Sequence, residues 1–176
     1  MSDWRGCIPY VGAIIERSNE GSTEVLVQTR WKPHKPSIYN GTLEFAAGVL
    51  DKPYESVYEA MAREVQEETG LIVSRFIDAD KTGVYSPQKI DAVMGFRPYC
   101  CTQQLKDGSP WVGFIFRCEV QPGVPIGQDG ETKDVHWVKA EDFFEVFKNT
   151  PEKLFTLELP AWEYYFKDNG YLSSEA

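Results

Sequence analysis

The chain has 176 residues, a formal net charge of −9, and 42% hydrophobic residues with an aromatic share of 14%. That length suits a single domain over 1–176 with one sizeable core. The acidic balance argues against non-specific binding to nucleic acid or anionic membrane, which needs basic surface, and no window approaches the roughly 18 apolar residues of a membrane span.

Residues 8–16 read as a core strand after a short leader, in which Asp3 and Arg5 precede any apolar run and so oppose a secretory signal. A polar turn at 18–22 with Gly21 leads to a second strand at 24–30, and together they predict a hairpin. Residues 31–41 mix proline, lysine and histidine without period and are expected to be a surface excursion, with substrate contact as the other reading. A short strand at 42–45 runs into Ala46-Ala47-Gly48, and a helix follows from Val57. Strands are expected at 72–77, 92–101, 111–120 and 135–138, with Gly83–Tyr85 leading into a Ser86-Pro87 turn. A Gly-, Pro- and acid-rich loop covers 121–133. Phe143, Phe144 and Phe147 give 140–148 helical spacing, 159–166 reads as another helix, and the tail from Ser173 is expected to fray. This order predicts an α/β sandwich. The cysteines Cys7, Cys100, Cys101 and Cys118 show no C-x-x-C spacing, and with only His34 and His136 available a zinc site is not expected. Adjacent Cys100 and Cys101 would face opposite sides of a strand as reduced, partly buried thiols, which fits the cytoplasm.

The helix is the informative element. Ser56 followed by Glu59 fits a capping box, and Gly70 can take the left-handed conformation that ends a helix. At about 100° per residue, Val57, Tyr58, Met61, Ala62 and Val65 make an apolar face, with Glu64, Glu67 and Glu68 along its edge and Glu68 intruding on it. The Glu64–Glu67 and Glu64–Glu68 pairs repel by roughly 0.2–0.5 kcal/mol each. Glu67 and Glu68 also oppose the helix dipole by roughly 0.3–1 kcal/mol each. Arg63 can reach Glu67 but is not expected to serve all three. A solvated acidic face would not intrude on the apolar arc. A hard divalent cation, whose preferred ligands are carboxylate oxygens, relieves the repulsion.

From Glu55 through Arg63, Glu64, Val65, Glu67, Glu68, Gly70 and Leu71 the sequence resembles the Nudix hydrolase signature, G-x5-E-x7-R-E-U-x-E-E-x-G-U, where U is a bulky aliphatic residue. It departs once: six residues, not five, separate Gly48 from Glu55. The resemblance implies an α-β-α sandwich with a mixed sheet holding a signature loop-helix-loop. It also implies metal-dependent hydrolysis of a nucleoside diphosphate linked to another moiety, with Mg²⁺ or Mn²⁺ as cofactor. Carried over by position, Glu64, Glu68 and Glu67 are the metal ligands and Arg63 orients them. Glu55 is an acid one layer behind the metal or a water-mediated ligand, and Ala47 supplies a backbone carbonyl. The general base comes from the helix or from the late loop, where Glu131 is the candidate. Trp31, Phe45, Tyr85 and Trp111 could stack a base, though each also reads as a core or sheet-surface aromatic.

Leu43-Glu-Phe-Ala-Ala-Gly48 and Pro87 resemble ADP-ribose and nucleotide-sugar pyrophosphatases, which favours those substrates. Ser86-Pro-Gln-Lys lacks the glycine expected after the proline, and little chain precedes the first strand for the extension that many dimeric members use; a homodimer remains open. Noncanonical nucleoside triphosphates, isoprenoid diphosphate chemistry and a non-catalytic nucleotide-sensing module are the alternatives. Sensing modules usually lose signature carboxylates, and all are present here.

Overall fold

The computed structural model describes residues 6–35, 37–106 and 108–173. The expected leader with Asp3 and Arg5, and the tail beyond Ser173, lie outside the described residues. The centre is β1 (Ile8–Asn19), flanked by β2 (Ser22–Arg30) in the expected hairpin and by β9 (Trp111–Val120), which runs parallel to it. Outward from β2 lies β10 (Thr132–Lys139); outward from β9 lies β5 (Val73–Ile77). One parallel pair among antiparallel neighbours makes the sheet mixed.

Because strand side chains alternate, β1 feeds two cores. Tyr10 and Ile14 join Val25, Val27 and Ile115 on one face, beneath α2 (Ala140–Asn149) and α3 (Leu159–Asp168), where Phe143, Trp162, Tyr165 and Phe166 are buried. Val11, Ala13 and Ile15 join Leu26 and Phe116 on the other, beneath α1 (Val57–Thr69). The result is the expected α-β-α sandwich. Among the described residues, no helix is long and apolar enough to cross a membrane.

Three expectations change. The strand at 42–45 and its continuation form two short strands, β3 (Leu43–Glu44) on β2 and β4 (Ala46–Val49) on β1, with the chain crossing between partners at Phe45. The single strand at 92–101 is divided at Pro98, which lacks the N–H a ladder needs. Its first part, β7 (Phe96–Arg97), pairs with β6 (Asp80–Lys81) in a separate ribbon, while β8 (Cys100–Gln103) joins β9. All four cysteines are free, but Cys101 is exposed and only Cys100 and Cys118 are sheltered.

Helix α1 begins at Val57 with both capping-box bonds formed: Glu59 N–H donates to Ser56 Oγ at 3.2 Å, and Ser56 N–H to Glu59 Oε2 at 3.0 Å. It ends at Gly70, φ 71°. Its buried face is Val57, Ala60, Met61, Val65, Glu68 and Thr69, so Tyr58 and Ala62 sit further toward the edge than expected. Ser56→Ala should lower stability by about 1 kcal/mol, read as a lower urea midpoint at unchanged slope; an unchanged midpoint would mean the cap contributes nothing.

Candidate active site

The carboxylates of α1 face a cavity of about 900 Å³ bounded by β4, the 31–42 loop, residues 104–111, Glu131 and the segment 155–157. Each acid is held differently. Glu68 is 7% exposed. Its Oε2 accepts from Gln28 Nε2 at 2.8 Å and from the Ala47 N–H at 3.0 Å. Gln28 reaches it because the strand period places residues 26 and 28 on the α1 side of β2. Burial, then the field of Glu44, pushes the Glu68 carboxyl up to about 8.

Glu64 packs directly on the backbone of β4. A Cβ at Gly48 would lie 1.9 Å from Glu64 Cδ, so only glycine leaves room for this carboxylate. Burial raises its pKa despite the Arg63 Nη1–Glu64 Oε1 contact at 2.5 Å, with Glu67 and Asp51 adding repulsion. Glu67 is half exposed and meets Arg63 Nη1 at 3.1 Å.

Arg63 does serve three carboxylates, but not the three of the helix. Its Nε and Nη2 clamp Glu55 in a bidentate pair, both bonds at 3.0 Å, while Nη1 is shared by Glu64 and Glu67. Glu55 is thus committed to Arg63, and that bond is the main cause of its lowered pKa. The extra residue between Gly48 and Glu55 leaves this pairing intact.

The end of α1 carries no basic residue. The late loop satisfies it instead: Ile126 N–H donates to the Thr69 carbonyl at 2.8 Å and Thr132 Oγ1 to the Glu68 carbonyl at 3.2 Å. This docking brings Glu131 to the cavity, ion-paired with Lys32. Ala47 lies on β4, and the N–H and C=O of one strand residue leave on the same side. Its carbonyl therefore points to the edge at which its N–H meets Glu68.

Among the described residues, no three His, Cys, Asp or Glu side chains converge on one point as they stand. Glu64 and Glu68 are turned to Arg63 and to Gln28 and Ala47. Their donor chemistry nonetheless fits a hard divalent cation, because adjacent oxygens on one rigid helix, two of them desolvated, are what such ions bind.

Several site residues escaped the sequence reading. Glu44, 4% exposed, lines the cavity and pairs with Arg30 Nη1 at 3.0 Å; its place beside Phe45 in the Leu43–Gly48 stretch was the available signal. Tyr39 and Phe155 form an edge-to-face pair at 5.0 Å on the wall. The described residues of 31–41 are largely exposed, as expected of a surface excursion, and Lys32, Lys35, Ile38 and Tyr39 among them also line the cavity. Of the aromatics considered for stacking, Trp111 lines the cavity. Phe45 is core, Trp31 lies under Lys133, and Tyr85 is exposed on the ribbon side.

A mixed-sheet sandwich in which a capped helix presents glutamates to a cavity is the arrangement that the signature resemblance implies for a phosphoanhydride hydrolase. Residues 8–158 match the NUDIX domain family model, and the chain belongs to the Nudix hydrolases as a pyrophosphohydrolase. No curated protein matches it. Among solved structures it resembles the NUDIX domain of Shewanella oneidensis NrtR complexed with ADP ribose (12% identity, TM-score 0.64, 94% of this chain and 90% of that one). It also resembles a MutT protein from Methanosarcina mazei Go1 (20%, 0.62, 96% and 99%) and a C. elegans Ap4A hydrolase (14%, 0.58, 94% and 99%). At these identities the likeness establishes the fold.

Glu68 yields a pH test. A folded pKa of about 8 against an ordinary 4.5 means the folded protein holds the extra proton between those values, so this group's contribution to stability falls as pH rises through that window. In metal-free protein, Glu68→Gln should therefore raise Tm near about pH 8 and change it little near about pH 5. Mg²⁺ should raise the wild-type Tm, more so at high pH, since ligation displaces a proton; the variant should respond far less. A variant that is less stable at high pH yet responds to Mg²⁺ as wild type does would remove Glu68 from the ligand set.

Proposed function

We propose that the protein hydrolyses the pyrophosphate of a nucleoside diphosphate linked to another moiety, with ADP-ribose or a nucleotide sugar as the leading class and Mg²⁺ or Mn²⁺ as cofactor. The observation that carries this reading is that Glu64, Glu67, Glu68 and Glu131 line one cavity although Glu131 is distant from the others in sequence. The relative whose structure holds ADP ribose supports the substrate class, since that ligand is accommodated on the same fold.

Glu64 and Glu68, with Glu67 and the Ala47 carbonyl, are the proposed metal-holding groups. A cation held there would neutralise phosphate charge and lower the pKa of coordinated water. Arg63, anchored on Glu55, keeps the glutamates oriented, so little ordering is left for the moment of reaction. Glu131 is the proposed general base, its carboxylate positioned by Lys32. One domain would act on a small-molecule nucleotide in the cytoplasm, as a monomer or a homodimer.

EDTA should abolish turnover in a phosphate-release screen of dinucleotides, nucleotide sugars and nucleoside triphosphates, and Mg²⁺ or Mn²⁺ should restore it. Undiminished turnover in EDTA would end the proposal, and no turnover of any substrate would favour a sensing module. Glu131→Gln should lower kcat by roughly 10²–10⁴-fold with a smaller change in KM. A change below threefold moves the base to the helix.

A further inference from the structure

Two lysines at the cavity have no part in the chemistry above. Lys35 comes from the 31–42 loop between β2 and β3, and Lys106 from the 104–110 connection between β8 and β9; both are exposed and both line the cavity. The other cations of the same wall are already engaged, Arg30 by Glu44 and Lys32 by Glu131. Among the described residues no ion pair includes Lys35 or Lys106.

Their backbones are nevertheless fixed, each by a neighbouring amide side chain. Asn40 accepts from the Lys32 N–H at 3.1 Å and donates Nδ2 to the carbonyls of Lys32 at 3.1 Å and Lys35 at 3.4 Å. Gln104 Nε2 donates to the Lys106 carbonyl at 2.6 Å. Further main-chain bonds close the first loop: Lys35 N–H to the Lys32 carbonyl at 3.0 Å and Gly41 N–H to the Arg30 carbonyl at 2.9 Å. Lys35 and Lys106 thus present cations to one cavity, neither of them in an ion pair among the described residues.

On a chain of net charge −9, such cations offset a field that otherwise repels phosphates. The α1 side of the cavity is committed to the scissile pyrophosphate. We infer that Lys35 and Lys106 form an anion subsite for the moiety beyond it, so that preferred substrates carry a phosphate or carboxylate there. This inference rests on the pyrophosphatase reading and deepens it. The sugar end of ADP-ribose, being neutral, leaves both lysines unused, whereas an acidic sugar or a phosphorylated one engages them through charge-assisted hydrogen bonds.

The test uses substrate pairs differing only in that group: ADP-ribose with ADP-ribose 1″-phosphate, and UDP-glucose with UDP-glucuronate. Wild type should favour the anionic member of at least one pair by about tenfold or more in kcat/KM. The phosphate pair and the carboxylate pair distinguish the two sources of charge. The preference should shrink with added salt, vanish in the Lys35→Met, Lys106→Met double variant, and survive when both lysines become arginine. Equal use of both members of each pair, or a preference that the double methionine variant retains, overturns the subsite. If wild type turns over none of the four, the hydrolase reading for these substrates fails separately. Calorimetric binding of inorganic triphosphate to wild type and the double methionine variant then decides the subsite, equal affinity overturning it.

Discussion

The site depends on a carboxylate kept inside the protein without a cation. Glu68 sits where α1, β2 and β4 meet, and its two donors, an amide side chain and a backbone N–H, are neutral. Burying an anion this way is unfavourable, and the group responds by holding a proton. A salt bridge would have removed that tension by supplying the opposite charge. The neutral partners fix the geometry while leaving the charge to be supplied by what binds. The same contacts tie helix to sheet, so the placement of the Glu68 carboxylate and the packing of α1 are one structure.

Around this point the positive charge is distributed with economy. Arg63 binds Glu55 in two bonds and spends its remaining nitrogen on Glu64 and Glu67. Glu55 therefore acts through the arginine, anchoring the guanidinium from which Glu64 and Glu67 are held. Gly48 completes the arrangement, since its missing Cβ is the space that the Glu64 carboxylate occupies.

A second acidic layer lies behind the first. Glu158, 1% exposed, accepts from the Phe45 N–H at 2.8 Å, where the chain crosses from β3 to β4 and a ladder bond is lacking. Burial, then Glu44, pushes its pKa well up. Phe155 N–H reaches the Leu43 carbonyl at 2.9 Å. The segment after α2 thus straps the strand junction that leads into the signature. Its short 3₁₀ turns, Pro151–Lys153 and Thr156–Glu158, have no periodicity that a sequence reading could detect.

Local rules made α1 legible by itself. Ser56, Glu59 and Gly70 mark its ends through bonds within a few residues, and its glutamates stand out because their spacing violates what an isolated helix prefers. The near-continuous apolar runs of β1, β2 and β9 were equally plain, because a strand buried on both faces needs apolar residues at successive positions. Tertiary structure alone decided the rest. Pro98 marks the break in a strand-like run, but that β7 and β8 then take different partners is decided by the sheet. The loop after β2 lines the cavity with Asn40 bonded back to Lys32 and Lys35, and Glu131 reaches the same cavity because Ile126 and Thr132 satisfy the last carbonyls of α1. The contacts to the end of α1 join residues far apart in sequence, and no local preference encodes which distant group completes a hydrogen bond.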